Sequence, residues 1–245
     1  MNLMEYRVSV AMASYNGAPD IALQIESILK NLKENDELVI SDDGSTDNTV
    51  EIIKRYAKDD SRIRLVQGPG NGVKANFTNA MKNCRGKYIF LSDQDDIWFD
   101  DKVKKIVPLL KKHDLVVHDC VVTASSISQV IKPSFFKYRN SGSGLMKNIY
   151  KNTYIGCCMA FSRRLMAKGI PIPNEIEMHD QWIGVLNDSL YKNTYFLNEP
   201  LIYYRRHGTN VSSFEHYPLM TMIKNRIIFI NQFKKRKRLI NDQLS

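Results

Sequence analysis

Three short polar segments hold the residues best suited to chemistry: Ser14-Tyr15-Asn16, Asp42-Asp43-Gly44-Ser45 and Asp93-Gln94-Asp95-Asp96. The carboxylates of the last two would repel one another unless a cation sat among them. In Asp93-x-Asp95, alternate residues of an extended segment project to the same side and can converge on one ion. Carboxylates together with phosphate oxygens suit a hard divalent cation, Mg²⁺ or Mn²⁺, which neutralises a diphosphate. Taken singly, each segment has a plainer use: DDGSTD at 42–47 also makes a helix N-cap with a turn glycine, and solvated acidic pairs are common. Three such turns at adjacent strand ends are harder to assign to local structure alone.

The elements that must position them follow from periodicity. Arg7–Ala13 reads as a buried strand, and Ile21, Ile25, Ile28, Leu29 and Leu32 then repeat at helical spacing after Pro19. ELVIS at 37–41 precedes a helix with Val50, Ile53 and Ala57, and IRLVQ at 63–67 precedes GPGNG and a helix with Val73, Phe77, Ala80 and Met81. KYIFLS at 87–92 runs straight into the third acidic turn. Strands alternating with helices predict an α/β fold with right-handed crossovers and a mainly parallel sheet, whose ligands lie at the carboxyl ends of the strands. Beyond about residue 112 the order changes. DLVVHDC at 114–120 and FLNEPLIYYRRH at 196–207 read as strands, Thr123–Asn152 as a polar loop or excursion, and YIGCCMAF at 154–161 as an apolar strand containing Cys157 and Cys158.

In order along the chain, VSVAMASYNG, ELVISDDGSTD, GPGNGVKANF, KYIFLSDQDDIW, YIGCCMAF, MHDQW and YYRRHGTNVS resemble the family 2 glycosyltransferases, in particular the rhamnosyltransferase-like branch of bacterial surface polysaccharide synthesis. The resemblance covers residues 7–213 and implies a GT-A fold in one catalytic domain over 1–213. Its nucleotide-sugar half spans about 1–112 and its acceptor half about 113–213, with a helix and tail over 214–245. It also implies an inverting, metal-dependent transfer from a dTDP- or UDP-sugar to a hydroxyl of a glycan acceptor, rhamnose and hexoses being the candidate sugars. By resemblance, Ser14 and Tyr15 line the base pocket and Asp43 accepts a hydrogen bond from the base. Asn71, Lys74 and Asn76 approach the nucleotide or sugar. Asp93 meets the ribose and the metal, Asp95 and His207 ligate the metal, and Asp180 is the catalytic base. His179 and Trp182 would shape the pocket, and Arg205 or Arg206 would balance phosphate charge. Ala13 stands where many relatives have Thr. Two plainer readings stay open: Lys74 as a solvated helix lysine, and Asp180 as a helix N-cap.

The chain has 245 residues, 43% of them hydrophobic, with 35 Lys plus Arg against 26 Asp plus Glu, a net charge of +9. That composition packs a core, and no apolar run approaches the roughly 20 residues of a membrane span. No leader is evident at the N-terminus, and Cys84, Cys120, Cys157 and Cys158 lack CxxC spacing, so a reducing cytoplasm without disulfides is expected. Lys224, Arg226 and KKRKR at 234–238 join Leu219, Met222, Ile223, Ile227, Ile230 and Phe233 in an amphipathic basic helix. It suits the inner face of a bacterial membrane, where a polyprenyl-linked acceptor would reside. A sugar nucleotidyltransferase would need a glycine-rich basic loop after the first strand, where ASYNGAP stands, and an aspartyl phosphatase would place DxDG there. A dehydrogenase would show GxGxxG. Nucleic acid is not expected as a partner, because acidic turns repel phosphates and no RNA- or DNA-reading motif is present.

Overall fold

The computed structural model describes residues 7–206 and 218–242. Its elements in chain order are β1 (Val8–Ser14), α1 (Ile21–Leu29), β2 (Asp36–Asp42), α2 (Thr49–Asp59), β3 (Ile63–Gln67), α3 (Gly72–Asn83), β4 (Tyr88–Ser92), β5 (Ile97–Trp98), α4 (Lys102–Leu110), β6 (Leu115–Thr123), β7 (Val130–Lys132), α5 (Phe135–Arg139), α6 (Leu145–Tyr150), β8 (Met159–Ser162), α7 (Arg163–Gly169), α8 (His179–Leu190), β9 (Thr194–Arg205) and α9 (Leu219–Asp242).

A nine-stranded sheet runs β3-β2-β1-β4-β8-β6-β9-β5, with β7 paired to β6. β1 lies between β2 and β4, parallel to both, with Val10 opposite Leu38 on one side and Phe90 on the other. Both faces of this half are covered, so Val8, Val10, Ala11, Met12, Ile40 and Leu91 are fully buried, as continuous apolar strands require. The registers decide where the chemistry falls. Ser14 pairs with Asp42, Asp42 with Gln67, and Met12 with Ser92, so the turns after β1, β2, β3 and β4 open on one edge of the sheet.

The parallel expectation holds for β1 to β4 and then gives way: β8 is antiparallel to both β4 and β6, and β5 is antiparallel to β9, while β6 and β9 are parallel. The stretch read as a loop at 123–152 contains β7, α5 and α6. These short elements escape periodicity because a five- or six-residue helix completes fewer than two turns. Cys157 and Cys158 are not in a strand; they close a 3-10 turn, Gly156–Cys158, just before β8. All four cysteines are free thiols.

The apolar stripe expected of the last helix also needs correction. In α9 the packed residues are Phe229, Phe233 and Ile240, whereas Leu219, Ile223 and Ile227 point outward. Phe229 meets the indole of Trp182 edge-on at 5.9 Å. Arg236 donates to the carbonyls of Lys168 and Ile170 at 2.9 and 2.8 Å. One member of the basic cluster therefore ties the helix to α7 and its exit.

Candidate active site

The turn after β2 is built by two adjacent aspartates with different tasks. Asp42 is buried and accepts from the Ser14 hydroxyl at 2.9 Å, the Ser45 hydroxyl at 2.6 Å and the Ser45 amide at 2.9 Å, which folds the turn and fastens it to β1. Asp43 looks outward and accepts one backbone amide on each oxygen, Gly70 and Gly72, both at 2.8 Å. Gly70 and Gly72 have φ of +64° and +79°, a left-handed region that glycine adopts without strain. Asp43 thereby holds the GPGNG turn against the β2 turn. Asn76 donates to the Ser14 carbonyl at 3.1 Å, and its buried Oδ1 has no partner. Asn71 is the exposed residue preceding α3. Tyr15 is 56% exposed at the mouth. Ser14 spends its hydroxyl on Asp42, which leaves its carbonyl as an anchor for Asn76 and for the Asp43 amide at 2.9 Å.

The middle residue of the third acidic turn has a role that spacing did not reveal. The Gln94 amide accepts from Tyr15 N and donates to Tyr15 O, both at 2.9 Å, so it brackets the strand end beside the exposed tyrosine. Around it lie the carboxylates. Burial, together with the charges of Asp95 and Asp180, pushes Asp93 up to about 7, against the pull of the Lys102 ammonium. Asp96 is fully buried and pushed well above the usual carboxylate range by burial and by Asp95 and Asp93, and its Oδ2 has no hydrogen-bond partner. Donor atoms of Asp93, Asp96 and Cys157 lie within 4.8 Å of one another. Two of the three are carboxylates that repel one another, one with an orphan oxygen, and the third is a thiol; the paired carboxylates fit a divalent cation at this turn.

Lys102 is fully buried beneath the turn. Its Nζ donates to the Cys157 carbonyl at 2.9 Å and stands 3.7 Å from the centre of the Trp98 ring. Burial lowers its pKa to about 8, against the neighbouring thiols and Asp96. Its place on the Lys102-Ile106-Leu110 face of α4 was the available signal. Arg205, one of the two arginines expected near phosphate, clamps the turn from below: it donates to Asp20 at 2.7 Å, to the Asp95 carbonyl at 3.3 Å and to the Ser125 carbonyl at 3.0 Å. His207 lies outside the described residues.

Asp180 comes to the same cleft from the other half. It is not the N-cap of α8, a position held by Met178, but sits buried inside the first turn. Its Oδ1 accepts from Gln181 N at 2.6 Å and from Asn152 Nδ2 at 3.0 Å. Burial pushes its pKa up to about 6, opposed by those hydrogen bonds and by the charge of Arg139. Asn152 had no sequence signal, since it falls at the end of the polar stretch. Next to the carboxylate, His179 stacks on Phe77 with centroids 4.4 Å apart, and burial with the nearby Lys74 lowers its pKa to about 4, so it is neutral. Lys74 is no solvated lysine: it donates to the Ile176 carbonyl at 2.7 Å, tying α3 to the approach to α8. Trp182 is fully buried and donates to the Gly169 carbonyl at 2.8 Å, so it supports α8 from the core rather than lining the pocket.

A parallel half-sheet that gathers acidic turns at its strand ends, faced by a buried carboxylate from a mixed second half, defines a GT-A type α/β fold. The profile of Glycosyl transferase family 2 matches residues 9–169, so the chain belongs to that family and is a glycosyltransferase. It is 27% identical over 191 residues to the Escherichia coli UDP-Glc:alpha-D-GlcNAc-diphosphoundecaprenol beta-1,3-glucosyltransferase WfgD, covering 76% of this chain and 72% of that one. It is 26% identical over 235 residues to the Shigella flexneri dTDP-rhamnosyl transferase RfbG, covering 88% and 80%. The crystal structure of S. aureus TarS 1-349 with UDP-GlcNAc superposes with a TM-score of 0.70 at 19% identity, over 91% of this chain and 65% of that one. This chain therefore spans slightly less than two thirds of that fragment.

Proposed function

We propose that this chain moves a sugar, rhamnose or a hexose, from a dTDP- or UDP-sugar to a hydroxyl of a lipid-linked glycan during polysaccharide synthesis, with inversion at the anomeric carbon. The observation that carries the reading is Asp180. It is a buried carboxylate whose charge reaches Asp93, so a base and a diphosphate-binding turn face one cleft. The names of the two relatives support the donor classes, and that of WfgD supports a diphosphoundecaprenol-linked acceptor.

In this reading Tyr15 and Asp43 flank the base and Asn71, Lys74 and Asn76 border the diphosphate and sugar. Asp93 and Asp95, with His207 as a further candidate, would hold Mn²⁺ or Mg²⁺. Bound there, the ion would neutralise the charge that develops on the departing diphosphate. Asp180 takes the proton of the acceptor hydroxyl as its oxygen attacks the anomeric carbon. The new C–O bond forms on the face opposite the breaking bond to the diphosphate, hence inversion. A carboxyl shifted toward neutrality suits a base working near pH 7. The Asn152 and Gln181 contacts fix its direction. No helix among the described residues is long and apolar enough to cross a membrane. We place the enzyme at the inner surface of the cell membrane, held there through α9.

Calorimetry with UDP and dTDP in the presence of Mn²⁺ tests the donor site. Asp95→Asn should remove the metal-dependent part of the binding, and unchanged affinity would sink the metal assignment. A transfer assay with UDP-glucose and dTDP-rhamnose on a polyprenyl-diphosphate sugar should give product with one of them. Failure with both would overturn the donor assignment.

A further inference from the structure

The outward face of α9 changes character along its length. Leu219, Met220, Ile223 and Ile227 are 71%, 76%, 44% and 55% exposed, with a single exposed cation, Lys224, among them. Toward the other end the same face continues as Asn231, Lys234, Lys235 and Arg238, all exposed. At 100° per residue, Met220, Ile227, Lys234 and Arg238 fall within a sector of roughly 40°. This sector lies opposite Phe229 and Phe233, which hold the helix on the body. Beside the apolar half, α6 presents Met146 and Tyr150, 75% and 72% exposed, and Arg226 joins the two helices by donating to the Tyr150 carbonyl at 2.9 Å. Two residues beyond Tyr150, Asn152 donates to Asp180.

We propose that this composite face seats on an anionic bilayer. The apolar half of α9, with Met146 and Tyr150, enters the interface, while Lys234, Lys235 and Arg238 lie on headgroup phosphates. The inference rests on the membrane reading above and deepens it. It assigns insertion to the first half of the helix and headgroup contact to the second, and it brings lipid beside the segment that orients the proposed base. Charge complementarity selects this occupant. A second copy meeting the same face in parallel would set its cations against like charges, and in antiparallel it would set them against isoleucines. An anionic interface satisfies both halves at once.

The test is flotation of the full chain with phosphatidylcholine vesicles, with and without one-third phosphatidylglycerol. Wild type should bind the anionic vesicles. Neutralising Lys234, Lys235 and Arg238 to Gln should weaken binding about 100-fold, from roughly fivefold per cation. Ile223→Ser with Ile227→Ser should weaken it by about tenfold or more. Both positions are exposed, so melting curves should stay close to wild type. Because Trp98 and Trp182 are buried, the added fluorescence of Met220→Trp should be quenched by brominated lipid. If the isoleucine variant binds as wild type and Met220→Trp is not quenched, apolar insertion is overturned while the basic attachment stands. If wild type ignores anionic vesicles, the membrane reading itself fails. A wild-type dimer that the isoleucine variant dissociates, without vesicle binding, would assign the face to a second copy and overturn the proposal.

Discussion

Replacing the proposed base should make the protein more stable while it destroys turnover. Asp180 is held at about 6 against an ordinary 3.8, with burial as the main cause. A carboxylate raised by roughly two units makes the folded state less favourable by about 3 kcal/mol once it is ionised. In Asp180→Asn the amide oxygen can still accept from Gln181 N and Asn152 Nδ2, but its new NH₂ is a buried donor that offsets part of the gain. The net expected gain is about 1–2 kcal/mol, which at 2–4 °C per kcal/mol for a domain of this size raises Tm by about 2–8 °C.

The sign of the pH dependence is fixed by linkage. Between the unfolded value near 3.8 and the folded value near 6, the folded wild type binds more protons than the unfolded chain, so its stability falls as pH rises through that window. The advantage of Asp180→Asn is therefore absent at about pH 4 and fully developed above about pH 7. Relief of the repulsion felt by Asp93 adds in the same direction. Thermal denaturation followed by circular dichroism in EDTA across this range measures it. In parallel, kcat should drop about 10²–10⁴-fold while donor affinity holds. A variant that melts lower than wild type at pH 8, or whose advantage does not change with pH, would refute a carboxylate ionised against its burial. Wild-type turnover would refute the base.

Gln94→Ala removes both hydrogen bonds that bracket Tyr15; donor Kd should rise about 3–30-fold by calorimetry with little change in Tm. Lys102→Met removes the buried cation under the acidic turn. The metal-free protein should lose about 3 kcal/mol in urea unfolding, and added Mn²⁺ should restore more stability to the variant than it adds to wild type. Gly156→Ala places a Cβ 2.5 Å from His179 Nε2, against the ring that precedes the base. It should cost about 1–3 kcal/mol and lower kcat, measured by thermal melts and single-turnover rates.

What could be read from the sequence was set by distance along the chain. β1 to β4 and their turns follow local rules, because continuous β-branched runs and acidic turn residues specify strand, turn and helix within a dozen residues. The register that pairs Ser14 with Asp42 and Met12 with Ser92 then comes from sheet pairing alone. The residues that were missed act across the chain. Gln94 reaches Tyr15 over 79 positions, Arg205 reaches Asp20 over 185, and Lys102 reaches the Cys157 carbonyl over 55. None of these pairings leaves a periodic trace. Trp182 lies in the core for a related reason: a motif marks where a residue belongs in the chain, but not whether its side chain faces ligand or core. These hidden contacts share one task. Gln94 holds the acidic turn to β1, Arg205 holds its backbone to α1, and Lys102 partly balances its charge from below. A turn proposed to release and rebind a charged nucleotide gains little from its own carboxylates, which repel, so its shape in the empty state has to be imposed from outside. Gln94, neutral whatever the state of the aspartates on either side, donates and accepts at once through its two contacts with Tyr15.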